Sequence, residues 1–221
     1  DKVYFRIAQC YQMMTRSASQ SGDREAQRVY AQKALKLYDK ILIEHGDSRM
    51  VPDVHFSMGY VRQLQDDASA ENAYQFMVEN FSDHPAAPNA LQQLARLSYE
   101  RGEYEEARER YQELVEKYPD SDVISASYME LGLTMKYLDD LPKAIAYFEE
   151  IDPNWSQWAK VQAELADLHV RAGQMSQAKA VLIRAMNSTT DEQLRGQLLY
   201  VKSRIHFADG EYKESIDGFG K

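Results

Sequence analysis

A small residue followed four positions later by a large ring or Leu returns along this chain of 221 residues at a nearly constant interval. The pairs are Ala34/Tyr38, Ala70/Tyr74, Ala107/Tyr111, Ala144/Phe148 and Ala178/Leu182, with Ser215/Phe219 as a weaker sixth. Their first members are separated by 36, 37, 37, 34 and 37 residues. Residues four apart share one face of a helix. A self-similar period between about 20 and 50 residues marks a stack of supersecondary units, each too small to bury its apolar face alone. One globule with a single central core does not produce such a register.

A second small residue precedes each pair by about a dozen positions: Gly59, Ala95, Gly132, Ala166 and Ser203. A break lies between the two, at Asp66-Asp67, Gly102, Asp139-Asp140, Gly173 and Gly210. Each repeat therefore reads as helix, short turn, helix, with helices of three to four turns. Ala, Leu, Glu, Gln, Arg and Lys dominate, and period-2 alternation is scarce, so strands are not expected. Ser82-Asp83-His84-Pro85, Tyr118-Pro119-Asp120-Ser121 and Asp152-Pro153 stop one repeat and cap the next. Thr189-Thr190-Asp191-Glu192-Gln193 has capping-box spacing.

In residue type and order these positions resemble the tetratricopeptide repeat family. The clearest repeat holds Leu91, Leu94-Ala95, Gly102, Ala107, Tyr111 and Pro119; the next holds Tyr128, Leu131-Gly132, Ala144 and Phe148. The resemblance implies an all-α fold, a right-handed α-solenoid of antiparallel helix pairs with roughly five and a half repeats. Their approximate bounds are 1–48, 49–84, 85–121, 122–154, 155–191 and 192–221, forming one domain. Ile41, Met77, Leu114 and Ile151 occupy a place where the family is usually small, and Lys202 stands where a core Leu is normal. Those departures are expected to loosen local packing. The first repeat is longer than the rest, and residues 15–26 are expected to form either a long loop or lengthened helices. Residues 1–13 read as a helix without a polar cap, and the last repeat breaks off at Lys221. The chain is therefore read as a piece of a longer protein.

Charge and motif content exclude several functions. With 26 Lys and Arg against 35 Asp and Glu, the net charge is −9, which disfavours a nucleic-acid partner. No apolar run is long enough to span a bilayer, so no direct membrane insertion is expected. A lone Cys10 rules out an internal disulfide, and its place on an apolar helix face suggests a buried thiol. His169 and His206 recur 37 residues apart, which fits a repeated packing position better than a metal pair. No nucleophile, phosphate-loop or zinc motif is present. Catalytic residues, cofactors and metals are therefore not assigned, and the chain is read as no enzyme.

In the resembled family the first helix of each repeat lines an inner wall, and carrying that phase over selects candidate partner-binding residues. These are Phe5, Phe56, Tyr60, Gln92, Arg96, Tyr99, Met129, Leu133, Lys136, Lys160, Tyr200, Arg204 and Phe207. Lys2, Arg96, Lys136, Lys160 and Arg204 outnumber Asp53 and Asp167 on this wall. A mildly positive, aromatic groove suits a peptide with apolar anchors and some negative charge. The function expected is a non-catalytic scaffold that captures other proteins in a concave groove. Tyr118-Pro119-Asp120-Ser121 resembles the repeat ends of bacterial envelope members, which tilts the location toward the periplasm or cell envelope and the role toward envelope assembly or secretion. Two alternatives stay open: a homo-oligomerising structural segment, or the regulatory arm of an enzyme whose catalytic domain lies elsewhere.

Overall fold

The computed structural model describes residues 1–219, with side chains through Ser215. Among the described residues there are twelve α-helices and no strand. The chain divides into two compact halves, Asp1–Arg101 and Gly102–Lys221. The first holds α1 (Lys2–Ser21), α2 (Arg24–Glu44), α3 (Val51–Gln63), α4 (Ser69–Asn80) and α5 (Ala87–Glu100). The second holds α6 (Tyr104–Lys117), α7 (Ile124–Tyr137), α8 (Leu141–Glu149), α9 (Trp158–Arg171), α10 (Met175–Ser188), α11 (Glu192–Ala208) and α12 (Tyr212–Phe219). Within each half consecutive helices pack together, and alternate helices also touch, α1 with α3 and α9 with α11. Such neighbour-only packing is what a repeat stack requires.

One backbone device closes the hairpins. Within each half the connection of each pair carries a left-handed residue, Gly22, Asp66, Asp139, Gly173 and Gly210, with φ of 75, 54, 59, 73 and 78°, and Gly102 is left-handed too, at 79°. The next amide then donates back across the helix end, Asp23 to Ala18 and Asp67 to Arg62 in the first half. In the second half the same bond runs from Asp140 to Met135, Gln174 to His169 and Glu211 to His206. This satisfies a helix-terminal carbonyl and reverses the chain in two residues. Asp23 and Asp140 then cap the following helices, accepting from the Ala26 and Lys143 amides at 3.0 and 3.2 Å.

The small-then-bulky pairs form the core. Ala34, Tyr38, Ala70, Tyr74, Ala107, Tyr111, Ala144, Phe148, Ala178 and Leu182 are all buried. Ser215 is buried as well, while its partner Phe219 lies outside the residues whose side chains are described. The Tyr74 ring packs directly against Gly59, and Phe148 against Gly132. The phenols are not orphaned. Tyr38 donates to Gln12 (2.7 Å), Tyr74 to Gln63 (2.8 Å) and Tyr111 to Glu130 (2.6 Å). Burial pushes the Tyr38 phenol up to about 12, and Tyr74 is raised further for the same reason.

Several expectations are settled by the structure. The extra residues of the first repeat take the second of the two forms expected, lengthening its two helices to 20 and 21 residues, and the hairpin turns at Gly22. Its start is capped, since the Asp1 carboxylate accepts from the Lys2 amide at 2.6 Å. Cys10 is exposed, not buried, because α1 buries Phe5, Ala8, Thr15 and Ala18 and a residue two positions past Ala8 points to the opposite side of a helix. Lys202 is likewise exposed; Val201 and Ile205 fill the core of α11. The bulky Ile41, Met77, Leu114 and Ile151 are fully enclosed, so they fill volume rather than loosen packing.

Candidate functional site

In the first half, the candidate residues lie on α1, α3 and α5. Phe5 is the exception to a surface reading. It is only 8% exposed, its ring centroid lies 5.8 Å from Tyr38, and it belongs to the core of the first repeat. Phe56 is half-buried with its ring 5.7 Å from Tyr74. Tyr60, Gln92 and Tyr99 are half-buried and Arg96 is exposed. Tyr60 and Arg96 come together at one cavity of about 770 Å³, which they share with Gln63 of the same α3 face. Arg96 is braced by Glu100 one turn on, at 3.2 Å.

That cavity has a second wall from outside the expected phase. The lengthened α1–α2 hairpin contributes Ser19, Gly22, Arg24, Gln27 and Arg28. Gln27 donates its amide to the Leu64 carbonyl at the end of α3, fixing the hairpin against it. Four positions per repeat, phased on repeats of ordinary length, cannot find residues belonging to an extra two turns of helix. The readable signal was the length anomaly itself, combined with arginines at i and i+4.

In the second half the candidates lie on α7, α9 and α11. Met129 is 8% exposed and belongs to the core, and Leu133 is half-buried. The charged candidates are tied to one another. Lys136 on α7 reaches Glu164 (2.9 Å) and Asp167 (3.5 Å) on α9, and Arg204 on α11 meets the other oxygen of Asp167. A ladder of ion pairs therefore crosses three alternate helices. It establishes that these positions share one surface, and it offsets Lys136 and Arg204 with Glu164 and Asp167, which leaves Lys160 outside the ladder. Lys160 is exposed on the same helix as Asp167. Tyr200 is 56% exposed with the Arg204 guanidinium 6.0 Å from its ring centre. Phe207 is 61% exposed and meets Tyr212 edge-on at 5.5 Å.

The two histidines serve the hairpin turns. The His169 Nδ1 lies 2.7 Å from Gln174 Oε1, and the His206 Nδ1 contacts Glu211, five residues on in each case. No group of three or more potential ligands gathers anywhere among the described residues. No helix there is long and apolar enough to cross a membrane. A smaller cavity of about 290 Å³ lies between α9 and α10, floored by Gln162, Leu165, His169 and Val181.

Comparison with known proteins agrees with this architecture. A family profile described as tetratricopeptide repeat matches residues 89–121. Among solved structures, PilF of Pseudomonas aeruginosa superposes with a TM-score of 0.66 at 20% identity, covering 97% of this chain and 90% of that one. BtubC from P. vanneervenii gives 0.70 at 16%, covering 88% and 87%. A kinesin light chain from Podosopora anserina with nearly identical TPR-like repeats gives 0.59 at 17%, covering 98% and 93%. Among curated proteins, none matches the sequence. At such identities the likeness is one of fold, and the fold is an α-solenoid.

Proposed function

We propose that this tetratricopeptide-repeat chain is a non-catalytic scaffold that holds a segment of another protein against the exposed face of its first-of-pair helices. Repeats of this kind typically bind proteins and typically carry no chemistry of their own. The observation that carries the reading is the placement of side chains on that face. Aromatic residues that an ordinary core would bury, Tyr200 and Phe207, stand mostly in solvent, and Tyr60 and Arg96 open onto a cavity. Half-exposed aromatics beside arginine are the residue types that dominate binding energy at interfaces. The helices are ordered before binding, so little of the ordering cost falls on the receptor.

The partner is best described as a peptide segment with apolar anchors. On the α7–α9–α11 face its recognition is mainly apolar and aromatic, because Lys136 and Arg204 are compensated by Glu164 and Asp167. A bacterial envelope setting is the location this reading favours, on the strength of the Tyr118-Pro119-Asp120-Ser121 repeat end. Changing Tyr60, Arg96 and Tyr99 together to Ala tests the function. Affinity capture from the native lysate should lose the partner seen with the parent chain, while helicity and melting temperature stay nearly unchanged. Retention of the same partner by the folded triple variant overturns the proposal.

A further inference from the structure

We infer that the cavity under the lengthened first hairpin is a binding site for an extended acidic peptide, read by Arg24 and Arg28. This rests on the scaffold reading above and gives one part of it a chemistry. Arg24 and Arg28 lie one turn apart on α2, both exposed, and both line the cavity. Neither makes an ion pair with any described residue, whereas Arg96 across the same cavity is held by Glu100. Like charges at i and i+4 destabilise a helix. Arg24 also opens α2, where the helix dipole already disfavours a cation. Two unfavourable terms thus converge on one spot of a protein with net charge −9, and an anion bound between the two guanidinium groups would relieve both.

The remaining groups set the shape of that anion. Two carboxylates also line the cavity, Asp66 and Glu100, and Glu100 is already engaged by Arg96 at 3.2 Å. Glu25 lies exposed on α2, three residues before Arg28, and is not part of the lining. A volume of about 770 Å³ falls inside the usual range for ligand pockets, about 300–1,000 Å³, and exceeds what a lone carboxylate or phosphate fills. Residues at i and i+4 of a helix stand about 5–6 Å apart at Cβ. An extended chain presents side chains on one side every two residues, about 6.6–6.8 Å. An acidic residue, any residue, then a second acidic residue therefore matches the two arginines, with Tyr60 and Leu64 available to the intervening apolar atoms. Bidentate pairing between guanidinium and carboxylate supplies the geometry.

The test uses the full chain and a peptide of alternating Glu and Ala, blocked at both ends so that no terminal carboxylate contributes. Titration calorimetry should show saturable binding that weakens with salt. Binding should fall about tenfold or more for the same peptide with Gln in place of Glu. The double variant Arg24→Gln/Arg28→Gln should lose binding to the same degree, while Lys36→Gln, a charge removed elsewhere on α2, should not. Circular dichroism establishes that the variants fold, and the Glu-against-Gln comparison on the parent chain stands whatever the variants do. The inference is overturned if the peptide does not bind, if the two peptides bind equally, or if the double variant binds as the parent does. It is also overturned if inorganic phosphate binds as tightly as the peptide, which would make this a general anion site. Loss of peptide binding in the arginine variants with lysate capture intact separates this site from the wider scaffold role.

Discussion

Phe148 leaves no room for a β-carbon at Gly132: a methyl group built there would lie 2.6 Å from ring atoms Cδ2 and Cε2. The ring cannot move aside, because Phe148 is itself fully buried. Gly132→Ala should therefore destabilise the protein by about 1–3 kcal/mol through overpacking, read as a lower midpoint in urea. Adding Phe148→Leu should recover part of the loss, since Ala166 and Leu182 already coexist as the matching pair of the next repeat. Gly59→Ala should behave alike against Tyr74, whose ring carbons would lie 2.7–3.0 Å from the new methyl.

Asp66 and Asp139 hold the left-handed turn position that glycine occupies in the other hairpins. A side chain there carries steric cost, softened for Asp by local hydrogen bonding. Asp66→Gly should raise stability by up to about 1 kcal/mol, and Gly173→Ala should lower it by a similar amount. Thermal denaturation of the two variants gives opposite shifts if the turn geometry is as described.

His55 lies tilted against Phe76 with ring centres 4.3 Å apart, and burial together with Arg62 holds its imidazole below the usual value. The unfolded chain then binds a proton more readily than the folded one. Stability from this residue is complete above the ordinary imidazole range near about 6.5 and declines as pH falls through it. His55→Phe should flatten that part of the stability profile between pH 7.5 and 5. An unchanged slope would mean the ring is not shielded in this way.

Asp167 links Lys136 to Arg204, so Asp167→Asn releases Arg204 onto the face of α7, α9 and α11 and leaves Lys136 held by Glu164. The groups are partly exposed, and the loss of stability should stay below about 1 kcal/mol. Affinity for an acidic segment on this face should rise, an effect visible at low ionic strength and lost in high salt.

Much of the fold was legible because burial at Ala34, Ala70, Ala107, Ala144 and Ala178 follows one rule repeated along the chain. Turns were legible for the same reason, from Gly22-independent signals such as Gly102, Gly173 and the paired aspartates. Cys10 and Lys202 were misplaced because a helix face was read from apolar content alone, whereas a shift of one or two residues turns a side chain from core to solvent. Phe5 and Met129 show the opposite limit, as inner-wall positions at which an apolar side chain sinks into the core. The ion pairs around Asp167 were hidden because each joins residues about one repeat apart. Arg24 and Arg28 were hidden because they belong to an extension that no regular repeat contains.

The most direct measurement of the central claim places a photo-crosslinking residue, one position at a time, at Tyr60, Tyr99 and Tyr200 on first-of-pair helices. The comparison set is Phe76 and Ile183, exposed on the second-of-pair helices α4 and α10. The account predicts partner adducts from the first set and none from Phe76 or Ile183. Adducts formed only from Phe76 and Ile183 would contradict it.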